Sequence, residues 1–302
     1  MALNGLQIVS LIEKITSLVL NVVSVYILSR WSSSSMKEQG VPQQTAAKLS
    51  HVFLVTLFVS HTVSCLNGIP AEIFINQDKR KFDEQFRLVQ DIFFVTHELI
   101  FICEVLTTIA ISIDRYVAIR KPFYYQTLTR KNAYYVVMTI VFIATTHSIS
   151  AFIFDTTYTA ISFLVVLGCF AICVCNYRLF REVKRQCILT ISNVVSEDLT
   201  KKRQIKRRIK LRQLRSLRMC LVIVVTFMVL WIPYLVVFIL SRIRKELFSD
   251  HYFLLKMVEM LAILNGIVDV LTFFIMKRQA RKMFVKIFLP CLHKSRVSSD
   301  SA

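Results

Sequence analysis

The chain has 302 residues, 55% of them hydrophobic, and a formal charge of +19. A soluble domain is nearer about 45–50% apolar, so the composition excludes an ordinary soluble protein and points to the bilayer. So basic a balance leaves two readings, nucleic-acid binding or positive loops on the cytoplasmic side of a membrane protein, and the placement of the charge separates them.

About 20 mostly apolar residues suffice for a crossing helix. Such stretches predict seven spans, at 5–29, 47–76, 87–115, 133–154, 157–178, 217–241 and 253–276. Lipid offers the backbone no hydrogen-bond partners, so each is expected to be a helix. The first lacks a basic n-region and carries Glu13 and Lys14 early, which predicts a retained span rather than a cleaved signal. Segment 30–48, "RWSSSSMKEQGVPQQTAAK", reads as a polar, flexible inner loop, and the fourth and fifth spans are joined outside by barely "DTTY", 155–158. The intensely basic 201–218 mixes Ile and Leu at near-helical spacing; it is expected to prolong the sixth span into the cytosol and to touch acidic lipid.

Of 38 Lys and Arg, 29 fall on one side of this arrangement and 7 on the other, with Lys14 and Lys256 near span ends. The positive side is cytoplasmic. That puts the C-terminus inside and the N-terminus outside, and a basic charge that follows sidedness rules out nucleic acid. Six of eight cysteines lie within spans and none in an outer loop, so no extracellular disulfide is expected. Cys173 and Cys175 point to different helix faces, which favours packing over a metal site.

The third span ends in "TIAISIDRYVAIRKPF", 108–123, where Asp114-Arg115-Tyr116 is followed by Pro122-Phe123. The sixth holds "FMVLWIPY", from Phe227 through Trp231 and Pro233 to Tyr234. Asn21 stands in the first span, Pro70 in the second, Tyr177 at the end of the fifth, Asn265 and Asp269 in the seventh, and "MKRQARKMFVKIF" follows. Jointly these resemble the rhodopsin-like (class A) G-protein-coupled receptors over nearly the whole chain. The resemblance implies an all-α membrane protein, a seven-transmembrane helix bundle over 1–290. A short amphipathic helix over 277–290 and a cytoplasmic tail, 291–302, complete it.

The same resemblance implies roles. Arg115 pairs with Asp114 at rest and turns toward Tyr177 and an entering partner when the sixth span swings outward. Pro233 removes a backbone hydrogen bond and kinks that span into a lever, with Trp231 and Phe227 at the level a ligand would press. Asp269 and Phe273 belong to the seventh span's switch, and Cys291 is a lipidation candidate.

Several positions depart from the family. Gln90 and Cys169 replace its usual Cys and Pro, Val270 and Phe273 replace Pro and Tyr in the seventh span, and the fourth span lacks its Trp. A short second outer loop, no disulfide to it and no fifth-span Pro resemble the melanocortin-type receptors. Glu72 and Asp91 do not match those receptors' carboxylate positions, so their peptide ligand is not carried over.

His61 occupies the family's second-span Asp place and Glu104 a site lining its sodium pocket. His61, Glu104 and Asp269 are therefore expected to face one another, with Asn21 and Asn265, in mid-bundle. Two readings stand: a protonated His61 taking the place of the ion, or a fixed polar clasp between three helices. Ligand-pocket candidates are Glu72, Asp91, His97, Glu98 and Trp231; Glu98 either accepts a cation or faces the fourth span. His97 stands where amine receptors carry Asp, which argues against that ligand class.

The function expected is transmission of an extracellular signal to a heterotrimeric G protein at the plasma membrane. Arrestin and a receptor kinase would act on Ser295, Ser298, Ser299 and Ser301. The alternative is a proton- or ion-coupled transporter or channel using His61, Glu104 and Asp269, but no internal repeat of the transporter kind is present. No cofactor is called for. Nothing resembles H-E-x-x-H, G-x-S-x-G or a phosphate loop, so no enzyme is expected.

Overall fold

The structure, a computed structural model, describes residues 5–38, 44–75, 84–154, 167–168, 170–182, 184–185, 219, 221–234, 236–237, 240 and 252–288. All regular structure among them is helical: α1 (Gly5–Glu38), α2 (Gln44–Ile75), α3 (Glu84–Arg120), α4 (Pro122–Thr127) and α5 (Arg130–Phe154). Then come α6 (170–182), α7 (Leu221–Tyr234), α8 (Tyr252–Met276) and α9 (Arg278–Phe288). Helices α1, α2, α3, α5 and α8 are long and apolar enough to cross a membrane, and α7 is a shorter apolar helix. They correspond to the first, second, third, fourth, seventh and sixth predicted spans; α6 lies in the fifth and α9 is the amphipathic helix.

Segment 30–48 departs from expectation. It is helix up to Glu38 and again from Gln44, not a flexible loop throughout. Once a helix is nucleated in the membrane, each added residue gains a hydrogen bond at little further cost, and "SSSSMKE" contains no breaker. Connection 155–158, segment 201–218, Cys169, Cys291, the tail serines and the side chain of Gln90 lie outside the described residues.

Helix α3 packs against α2 and α5, and α1 against α2 and α8. Ile27, Leu28, Phe53, Leu57, Phe58, Ile111 and Phe273 form one buried cluster, with Phe58 and Phe273 edge to face at 5.6 Å. Phe101, Val105, Ile172, Val224, Phe227 and Trp231 form a second around α3, α6 and α7. The opposite faces are apolar too, as with Phe142 (71% exposed) and Ile275 (67%). That suits a lipid surround, where no hydrophobic penalty attaches to exposure.

Two local devices shape the connection from α3 to α5. Pro122 opens α4 at its first turn, where a missing N–H costs nothing. Helix α5 starts at a capping arrangement in which Asn132 Oδ1 accepts from Thr129 N (2.9 Å) and Thr129 Oγ1 (2.7 Å). Ala280 of α9 is fully buried in the first cluster and Phe284 meets Phe274 at 5.6 Å.

At Gly266, side chains of α1 and α2 lie close against α8. A Cβ there would stand 2.9 Å from Ser17 Oγ, 3.3 Å from His61 Cγ and 3.4 Å from Asn21 Nδ2. Gly266→Ala is expected to destabilise the bundle by about 1–3 kcal/mol through overpacking, read as a lower melting temperature of the purified protein. A parental melt would refute so tight a contact.

Candidate functional site

Near the C-terminal end of α3, Asp114 and Arg115 are 7% and 8% exposed. Arg115 donates to Asp114 Oδ2 from Nε at 2.9 Å and from Nη2 at 2.6 Å. Ser50 of α2 donates to the same oxygen at 3.0 Å. Tyr125 of α4 donates to Oδ1 at 2.6 Å and lies 3.5 Å from Arg115 Nη2. Burial pushes the Tyr125 phenol up to about 12, so near neutral pH it is a hydrogen-bond donor. One carboxylate thus joins α2, α3 and α4.

Tyr125 and Ser50 went unnoticed in the sequence. Tyr116 turns elsewhere: its hydroxyl and ring are both taken by Arg120. Phe123 is 84% exposed, and Tyr177 on α6 is 67% exposed; among the described residues Arg115 donates to Asp114 and Tyr125. Phe227 and Trp231 are buried, their rings 5.9 Å apart. Trp231 also meets Phe101 at 4.4 Å and Tyr234 edge-on at 5.6 Å. Pro233 lies within α7, two residues after Trp231.

In mid-bundle, His61 lies between two carboxylates. Its Nδ1 is 2.9 Å from Glu104 Oε1 and its Nε2 3.2 Å from Asp269 Oδ2. Asn265 donates to the same Asp269 oxygen at 3.3 Å. All four residues are at most 5% exposed. Asn21 stays beside this group, donating to Ser17 O at 2.8 Å and Gly266 O at 3.4 Å.

The pocket candidates separate. Asp91 is exposed, and Glu98 turns to α5, 3.1 Å from His147. Glu72 is engaged by two lysines, Lys14 at 2.7 Å and Lys256 at 2.6 Å. His97 and Trp231 do line a common cavity, with His61, Glu104, Tyr234 and Glu259. Its volume is about 40 Å³. That is room for roughly three waters and far below the roughly 300–1,000 Å³ of a drug-sized pocket.

Residues 40–162 and 154–269 match the family profile described as 7 transmembrane receptor (rhodopsin family). Among solved structures, squid rhodopsin superposes with a TM-score of 0.72 at 17% identity, covering 95% of this chain and 85% of that one. No curated protein sequence matches the chain.

Proposed function

The chain belongs to the rhodopsin family of seven-transmembrane receptors, and from that premise we propose that it passes an extracellular signal to a heterotrimeric G protein. Residues 1–290 form the receptor domain, with the N-terminus outside and the C-terminal tail in the cytoplasm of a plasma-membrane protein. Outward movement of α7, levered at Pro233, opens the inner face. Arg115 then leaves Asp114 for the entering G-protein α subunit, with Tyr177 and the exposed Phe123 beside it. Arrestin and a receptor kinase act on the tail.

The observation that supports this most is the inner network. A guanidinium at the cytoplasmic rim is held by one carboxylate that Ser50 and Tyr125 also hold. Such an arrangement has a closed form defined by specific bonds, so a partner that binds the released Arg115 biases it thermodynamically. Family membership also favours a receptor over a carrier. His97, standing where amine receptors carry Asp, argues against an amine ligand.

The test is expression with a panel of G-protein activation sensors. Arg115→Ala at parental surface abundance should reduce both basal and stimulated signal to background; a signal that survives overturns the coupling role. Tyr125→Phe should act the other way. It deletes one charge-assisted bond, a loss of about 1.5–3 kcal/mol from the closed form, and should raise basal signal roughly tenfold or more in the same assay.

A further inference from the structure

The outer half of the bundle holds a second group of charges that coupling does not use. Lys14 of α1 and Lys256 of α8 are 5% and 7% exposed, and both ammonium groups converge on Oε2 of Glu72 in α2, at 2.7 and 2.6 Å. Glu259, three residues along α8 from Lys256, supplies the second negative charge. Its oxygens lie 3.1 Å from Lys256 and 3.5 Å from Lys14. Glu13, beside Lys14 in sequence, has no hydrogen-bond donor for either oxygen among the described residues.

The four paired groups are not equivalent. Glu259 makes the longer contacts, and its side chain is 36% exposed while the other three are at most 8%. Glu259 is also the member of the four that lines the cavity. We propose that the cavity and these lysines form a binding site for a carboxylate-bearing ligand. The ligand's carboxylate displaces Glu259 from Lys256 and Lys14, and Glu259 turns to solvent. The proposal rests on the receptor reading only in taking the ligand from the outer side.

Charge decides between ligand classes. A carboxylate that replaces Glu259 leaves two buried ammonium groups with two anions. A cationic ligand drawn to Glu259 would leave both lysines with Glu72 as their one direct ion-pair partner among the described residues, and a buried charge stripped of its partner is strongly unfavourable. A second observation points the same way. Trp231 is 7% exposed and its Nε1, a donor only, has no acceptor among the described residues. It stands on the cavity wall, where a ligand oxygen would satisfy it. The small volume selects a short acid or the head of a longer one, with Ala262, Ile263 and the ring of Tyr234 as its apolar surroundings.

The experiment is thermal melting of the purified full chain in lipid nanodiscs, with sodium acetate and sodium butyrate as probes. Butylammonium chloride and sodium chloride at equal ionic strength are the comparisons. The two carboxylates should raise the melting temperature saturably and the other salts should not. Glu259→Gln removes the internal competitor and should tighten carboxylate binding at least tenfold, whereas Lys256→Gln should abolish it. If Lys256→Gln does not fold, Glu259→Gln decides: unchanged or weaker binding overturns the proposal. So does a shift produced by butylammonium alone, or an equal shift with every salt. Melting is read without a G protein, so a chain that binds butyrate yet activates no sensor would sink coupling and leave this site standing.

Discussion

Asp114→Asn is expected to raise ligand-independent signalling by tenfold or more per receptor at the cell surface. The substitution keeps the shape of the side chain and removes its charge. Its two oxygens accept from Arg115 twice, from Ser50 and from Tyr125. An amide retains one acceptor oxygen and turns an N–H₂ toward groups that are themselves donors. Hydrogen bonds to a charged group are worth about 1.5–3 kcal/mol each, though not additively. A net loss of that size from the closed form alone shifts a two-state equilibrium by roughly 10- to 100-fold. The size of the gain therefore reports how much of the closed state rests on one carboxylate. A buried ion pair often adds little to overall stability relative to an apolar replacement, so Asp114→Asn should change the signal more than the melting temperature. Basal activity at the parental level, with normal surface abundance, would remove Asp114 from the mechanism.

How far the sequence foretold this site depends on what kind of signal each residue carries. Asp114 and Arg115 were conspicuous because an acid and a base stand together where an apolar run ends. Tyr125 was not, because its place depends on Pro122 starting a new helix that turns the chain back under α3, and no periodicity announces that. His61, Glu104 and Asp269 could be brought together because the resemblance places them at positions that line the family's mid-bundle ion pocket, and buried ionisable groups in apolar helices pair with one another. Lys14 and Lys256 match no family position, and their nearness to the span ends suggests contact with water. Lys14 is nine residues into α1, about 13 Å along the axis at 1.5 Å per residue, and its ammonium turns inward to Glu72 and Glu259 instead of reaching for water. Glu98 shows the limit of reading without a third dimension. Its distance along α3 was clear, but which neighbour it faced depended on rotation of the helix, and that rotation presents it to His147 of α5. Segment 30–48 erred for the opposite reason: polarity was taken for irregularity, although a helix leaving the bilayer needs only the absence of a breaker to continue.

His61→Leu is expected to destabilise the bundle by about 3–5 kcal/mol, the usual consequence of removing one partner from a buried charged group. Both ring nitrogens meet a carboxylate. A neutral imidazole has one N–H, so one of its nitrogens would present a lone pair to an acceptor; the imidazolium presents a donor to each. Leucine leaves Glu104 and Asp269, 3% and 1% exposed, without that donor. Adding Glu104→Gln and Asp269→Asn to His61→Leu should recover most of the loss, because the penalty lies in the stranded carboxylates and not in the missing ring. His61→Asp separates the two remaining readings of this group. If His61 acts as the internal cation of the site, exchanging sodium for choline should leave the parent's melting and signalling unchanged. The variant, with three carboxylates and no cation of its own, should be stabilised by sodium. A rigid polar clasp with no cationic role predicts the same sodium response, and the same pH response, in both proteins. That result would remove the internal-cation reading while leaving the contacts of His61 as they stand.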